Sequence, residues 1–239
     1  MSVFQPATLN KCFIGVIDLL GYRNRVMSTP IEVLVEEYQS ILEKRKTLPS
    51  WEERYSKIVK IKWFSDLFLF NPNIEDYKAN WDSDNDINSF YSIEYSVRYF
   101  FSSLLLSNIP ARGAISYGEL YCDDKLGIII GKGYLEAFKA QENLRFISLC
   151  LTKSCIDNHP DFRKDDPQYA EYRNPPSDYF YDSNLGGPCY QLNTHFMQND
   201  TRKNLVDFLR SSLGFSEKIA EKYRNTLSWI GEKEYVQPD

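Results

Sequence analysis

Asp18 and Asp66 each close an apolar, strand-like run, a setting in which a carboxylate must find a use or a partner. The first run is Cys12 to Asp18, followed by Leu-Leu-Gly-Tyr; the second is Ile58 to Asp66, followed by Leu-Phe-Leu-Phe. An ionised carboxylate at the end of a buried strand is costly unless a cation or several donors meet it. Two of them on neighbouring strands, aimed at one crevice, make the protein half of a two-metal phosphoryl-transfer site. All-oxygen ligation of that kind suits Mg²⁺ or Mn²⁺ and not zinc.

The elements that must bring the pair together can be traced along the chain. Residues 12–20 predict a buried strand ending in a turn with Gly21. Ile31, Val33, Leu34, Tyr38, Ile41 and Leu42 carry a helical period from Pro30 to about Lys46, opened by Thr29 as N-cap. Tyr55 to Phe70 predicts two strands joined by a tight turn at Ser65-Asp66, and residues 71–86 a loop. Ile87 to Leu106 predicts a long buried helix and Arg112 to Leu120 a strand. A turn at 122–125 leads to a short strand at Leu126–Ile130, a helix at Gly131–Glu142 and a strand at Leu144–Leu149.

The order β-α-β-β-α-β-(β)-α-β describes an α+β fold, with an antiparallel-rich, ferredoxin-like or palm-type sheet and helices on one face. Beyond it come a polar, Pro-rich linker (159–177), a short strand around Tyr179–Tyr181 and helices near 200–213 and 216–231. The expected division is a core at 1–158 and a C-terminal extension at 159–239 packed on the same domain.

Composition narrows the classes. With 43% hydrophobic and 26% charged residues, the 239-residue chain reads as an ordinary folded protein. No apolar run approaches the roughly 20 residues that span a bilayer, and the N-terminus lacks a signal-like pattern. No membrane partner and a cytoplasmic location are expected. Five cysteines without metal-type spacing predict reduced thiols. A net charge of -5 argues against nucleic acid as partner. His159 and His195 have no partner at catalytic or metal-ligand spacing and are expected at the surface.

Four blocks, in order, carry a family resemblance. The run from Phe13 through Asp18 to Tyr22 resembles the first metal-site strand of class III nucleotidyl cyclases, and Lys62 to Asp66 resembles the hairpin with their second metal-binding Asp. Arg112 to Gly118 is similar to their Arg-led strand, and Ile130 to Ala137 to the strand-to-helix segment that follows. The closer likeness is to the compact pyrimidine cyclases of bacterial Pycsar anti-phage systems, including a helical tail with Lys222-Tyr223 and Trp229-Ile230.

The resemblance implies a class III cyclase fold and conversion of a pyrimidine nucleoside triphosphate to its 3′,5′-cyclic monophosphate and pyrophosphate. UTP is favoured and CTP comes next. It implies two divalent ions held by Asp18, Asp66 and the Leu19 carbonyl, and a triphosphate-binding Arg112. Lys62 and Phe64 share a strand face with Asp66 by period two and would line the base pocket. Gly131 would adjoin the substrate, and Tyr117, with Tyr22, Phe64 and Tyr134, would fill space that excludes a purine.

Departures from the purine-cyclase pattern are specific. Leu135 and Lys139 stand where those enzymes have Asn and Arg, leaving Lys139 as a catalytic charge. Ile128-Ile129-Ile130 replaces the acidic base-selecting residue. The implied assembly is a homodimer with its sites at the interface, and the product would act on a downstream effector protein in anti-phage defence. Two alternatives stay open: a nucleotide-binding regulatory module that has lost turnover, and a purine cyclase with an atypical pocket.

Overall fold

Strand β1 (Asn10–Leu19) is buried on both sides: Phe13 and Ile17 project from one face, Ile14 and Val16 from the other, and all four are fully enclosed. A continuous apolar run in place of alternation is what a strand covered on both faces requires. The computed structural model describes residues 10–44, 58–73, 86–123, 126–159, 172–175, 179, 184–185, 187–190, 199–213 and 217–231.

After β1 come α1 (Tyr22–Ser28) and α2 (Ile31–Lys44), then the hairpin of β2 (Val59–Phe64) and β3 (Leu67–Pro72). Helix α3 (Asp86–Leu106) leads into the long β4 (Ala111–Asp123), which pairs β5 (Ile128–Ile130). Helix α4 (Lys132–Asn143), β6 (Leu149–Leu151) and α5 (Lys153–Asp157) follow. The tail adds β7 (Tyr172–Arg173), β8 (Cys189–Tyr190), α6 (Asn199–Ser211) and α7 (Glu217–Trp229).

The sheet runs β2-β3-β1-β4-β6-β8-β7, with β5 off this path. Its first four strands are two interlocked split βαβ units, and β1 is antiparallel to both neighbours, as the ferredoxin-like expectation requires. The fold class is α+β. The sheet is mixed, because β4 and β6 pair in parallel.

Helices cover both faces, which corrects the expectation of one. Apolar residues of α2 and α3 (Tyr38, Ile41, Val97, Phe101) pack with Phe13, Ile17 and Phe68 on one side. On the other, Ala137 and Ala140 of α4 pack with Ile14, Val16 and Ala114. Close approach makes this second layer possible: a Cβ on Gly118 of β4 would lie 2.8 Å from the backbone nitrogen of Gly133. Ser116 Oγ adds a 2.6 Å hydrogen bond to the Gly133 carbonyl.

The helical predictions for the tail hold closely, and its residues Leu205, Leu209, Tyr223 and Leu227 join the main core. Other details differ: the sequence places no helix at α1 or α5, and β7 falls within the expected linker. The strand expected at Leu144–Leu149 begins only at Leu149, because Leu144 O and Ile147 N meet side chains and Arg145 N meets the Tyr179 carbonyl instead of a ladder. The strand expected around Tyr179 is absent at that residue, whose carbonyl accepts from Arg145 N, while Phe180 and Tyr181 lie outside the described residues. His159 is 4% exposed instead of superficial, its ring edge-on to Phe90 at 4.3 Å; His195 lies outside the described residues. Among the described residues no helix is long and apolar enough to cross a membrane.

Candidate active site

The two aspartates are joined through their backbones. Asp18 is the penultimate residue of β1 and pairs with Leu67, so Asp66 stands one residue beyond the end of the adjacent strand. The next amide, Leu19 N, donates to the Asp66 carbonyl at 2.8 Å and ties the hairpin tip to the end of β1. Ser65, the first residue of the two-residue turn, has φ of 58°. That left-handed conformation is uncommon outside glycine, and it sets the direction in which Asp66 leaves the turn.

Across β1 on its other side, Arg112 is the register partner of Asp18. Even-numbered residues of β1 and β4 share a face, so both side chains rise together, and Arg112 Nε donates to Asp18 Oδ2 at 2.9 Å. The Arg112 Nη1 group donates to the Glu142 carbonyl at 2.7 Å and reaches the Leu144 carbonyl at 3.4 Å. These are carbonyls at the C-terminal end of α4, where intrahelical partners run out and the helix dipole is negative. Arg112 thus ties the end of α4 to β1.

Burial pushes the Asp18 carboxyl above its usual range; Arg112 pulls it back by charge and hydrogen bond, and Asp66 pushes it up again. The register and the Leu19–Asp66 backbone bond bring the two aspartates to one end of the sheet. Lys222 of α7 also favours the Asp18 carboxylate. Lys222 is 6% exposed as a residue, and its Nζ donates to the Leu144 carbonyl at 2.8 Å. Burial, then the charges of Arg112 and Lys218, push Lys222 down to about 7, against the opposing pull of Asp18 and Glu221.

The donor chemistry fits a hard divalent ion. Among the described residues no three His, Cys, Asp or Glu side chains converge, so the candidate centre is a carboxylate pair. One or two carboxylates, completed by water and substrate phosphates, is the usual protein share of a Mg²⁺ site. With Arg112 on Oδ2, Asp18 still offers Oδ1.

The remaining residues divide by face and by end of the sheet. Lys62 and Phe64 of β2 pair with Leu69 and Leu67, on the face that carries Asp18. They line a recess of about 270 Å³ with Trp63, Gly127 and Ile129, and Phe64 is 44% exposed. Tyr117 is a correction. As an odd-numbered residue of β4 it occupies the opposite face, its ring 4.8 Å from Phe13 in the main core, so it cannot share a pocket with Phe64.

Gly131 and Lys139 are not gathered with Asp18. Gly131 precedes α4 and lies against the Glu119 backbone, at the end of that helix remote from Arg112. Lys139 and Leu135 are exposed on α4. A second cavity, of about 250 Å³, opens beside Leu20 and Gly21 between α1 and α7, with Asn24, Arg25, Ile219 and Tyr223 in its wall. Gly21 has φ of 73° there, which lets the chain turn directly from β1 into α1. The site residue that strand and motif reasoning assigned no role is Lys222; its signal was the Lys-Tyr pair of the tail.

No family model and no curated protein matches the chain. Among solved structures it is similar to the adenylyl cyclase CyaB from P. aeruginosa, at 10% identity and a TM-score of 0.49 over 79% of this chain and 96% of that one. It is also similar to the guanylate cyclase domain of RhGC from Catenaria anguillulae in complex with GTP, at 10% identity and a TM-score of 0.48 over 75% and 93% of the two chains. A bacterial light-regulated adenylyl cyclase gives 14% identity and a TM-score of 0.43 over 85% and 98%. At such identities and with TM-scores below 0.5, the chemistry of Asp18, Asp66 and Arg112 rests on their geometry in this chain.

Proposed function

We propose that the chain is a nucleotidyl cyclase acting on a pyrimidine nucleoside triphosphate, UTP before CTP. The observation that carries this reading is the joining of Asp18 and Asp66 at one sheet end, with Arg112 in register beside them. In the reaction the ribose 3′-oxygen bonds to its own α-phosphorus, the bond from that phosphorus to the pyrophosphate oxygen breaks, and the hydroxyl proton passes to solvent. Nucleophile and electrophile belong to one molecule, so positioning and charge neutralisation carry the catalysis.

Asp18, Asp66 and the Leu19 carbonyl would hold Mn²⁺ or Mg²⁺, which supplies Lewis acidity toward the 3′-oxygen and the phosphates. Arg112, a planar fork, suits bridging phosphate oxygens. Lys62 and Phe64 border the recess proposed for the base, and Ile129 narrows it. Filled space at that position would reject a purine by volume.

A homodimer in which the partner completes the site, with Lys139 and Gly131 facing the partner's metal residues, is part of the proposal. The exposed Phe64, Ile130 (65%) and Leu135 (53%) are apolar surface that such a partner would cover. A role in anti-phage signalling through a cyclic-nucleotide effector, in the cytoplasm, completes the proposal.

The test is incubation of the purified chain with Mn²⁺ or Mg²⁺ and each of UTP, CTP, ATP and GTP, reading pyrophosphate and cyclic product. Release from UTP or CTP supports the proposal. Release from ATP or GTP alone reassigns the chain to purines, and binding without release leaves a regulatory module.

A further inference from the structure

We propose that Lys222 is a positioning residue, through which the C-terminal helix α7 holds the seat of Arg112 beside Asp18. This rests on the cyclase reading above and extends its site to a helix outside the sheet.

The seat is the segment between α4 and β6. Residues 144–147 have little secondary structure to satisfy their backbone groups, and a buried backbone group without a partner is destabilising. Helix α7 provides partners from one stripe at spacings of three and four, the residues that neighbour each other on a helix surface. Lys222 Nζ donates to the Leu144 carbonyl at 2.8 Å, and Asn225 Nδ2 donates to the Arg145 carbonyl at 2.9 Å. Thr226 Oγ1 accepts from Ile147 N at 2.8 Å and donates to the Lys222 carbonyl at 2.7 Å.

Arg112 uses the same segment from the other side. Its Nη1 sits on the Glu142 and Leu144 carbonyls while its Nε holds Asp18. Leu144 O is therefore approached by two basic groups, one from β4 at 3.4 Å and one from α7 at 2.8 Å, both of them cationic below about pH 7. Two positive groups at one carbonyl repel each other, and Lys222 is almost fully enclosed. A buried ammonium is an expensive means of satisfying a single carbonyl, which a neutral donor would serve as well. What Lys222 adds in its protonated form is charge: it favours the ionised Asp18 and confines the Arg112 fork to the Asp18 side of the seat.

The reporter is the Arg112 Nε–H resonance in the full chain, assigned by its disappearance in Arg112→Lys. Lys222→Met is expected to shift or broaden it, while amides away from 142–148 and α7 keep their positions. Asn225→Ala, which removes a neighbouring tie but no charge, is expected to leave it in place. Lys222→Gln, one bond shorter, carries the same expectation should the Met variant not fold. A resonance unmoved by loss of Lys222, or moved equally by Asn225→Ala, overturns the proposal whether or not the chain is a cyclase.

Turnover gives the second reading. Lys222→Met is expected to lower kcat/KM about 10-fold or more. In an Arg112→Lys background the same change should cost less than about 2-fold, because residues acting through one another are not additive. Independent, multiplicative losses would contradict the link. A wild-type chain that releases pyrophosphate from no triphosphate removes the cyclase reading, and the resonance then decides the role of Lys222.

Discussion

Leu19 and Asp66 share a backbone hydrogen bond of 2.8 Å that fastens the β2–β3 turn to the end of β1. Because Leu19 follows Asp18 directly, this bond brings Asp18 and Asp66, 48 positions apart in sequence, to one sheet end. The candidate site depends on this tie more than on any single side chain.

Removing either carboxylate keeps this backbone tie and should still abolish turnover, while affecting the fold differently. Asp18→Ala and Asp66→Ala are each expected to lower activity by about 100-fold or more. Asp18→Ala also strips Arg112, 13% exposed at its side chain, of its counter-ion. It should cost about 1–3 kcal/mol of stability, whereas Asp66→Ala should cost less. Denaturant midpoints of the two variants check the ordering.

Arg112→Lys keeps the charge and loses the fork. A lysine cannot bond Asp18 and the end of α4 together in the present geometry. Turnover is expected to fall about 10-fold or more, with the triphosphate bound more weakly. Steady-state kinetics with the preferred triphosphate measure both.

Stability should rise with pH above neutrality through Lys222. Its folded pKa, about 7, lies below the ordinary lysine value of 10.5, so between these values the unfolded chain holds the extra proton. Folding is then favoured as pH increases across that window, by on the order of 1 kcal/mol per pH unit at most. Asp18 shifts the other way: its raised pKa favours folding below 3.8, and that contribution is lost as pH rises through its folded value. Urea unfolding at pH 7 and pH 9 should show the alkaline gain in the wild type and its loss in Lys222→Met.

The two faces of the sheet predict opposite outcomes for two aromatic residues. Phe64→Ala, at an exposed position on the Asp18 face, should alter KM and base preference with little effect on unfolding. Tyr117→Phe, on the core face beside Phe13, should leave base preference unchanged. Competition between UTP and ATP in each variant separates the faces.

Thr226→Val should be destabilising by about 1–3 kcal/mol, since it leaves the buried Ile147 amide without its acceptor. Amide exchange at Ile147 is expected to accelerate with it.

Much of this architecture was legible in the chain because strand and helix periods are local. Asp18 and Asp66 announced themselves as carboxylates ending apolar runs, and the hairpin at Ser65-Asp66 followed from the runs on either side. The unbroken apolar stretch of β1 already required cover on two faces, although helices were expected on one. Parity along β4 could also have separated Tyr117 from Arg112, had the direction of one side chain been known.

Sequence by itself determined the first five strands, the five longer helices, their order and the acidic pair, since each depends on neighbours within a few residues. The short elements α1, α5, β7 and β8 carry too few residues for a period to show. Only the tertiary structure decided that Arg112 faces Asp18, that residues 144–148 form a seat in place of a strand, and that Lys222 reaches that seat from 78 residues away. Those contacts join groups far apart along the chain. Their geometry is set by which surfaces pack, and no local period records it.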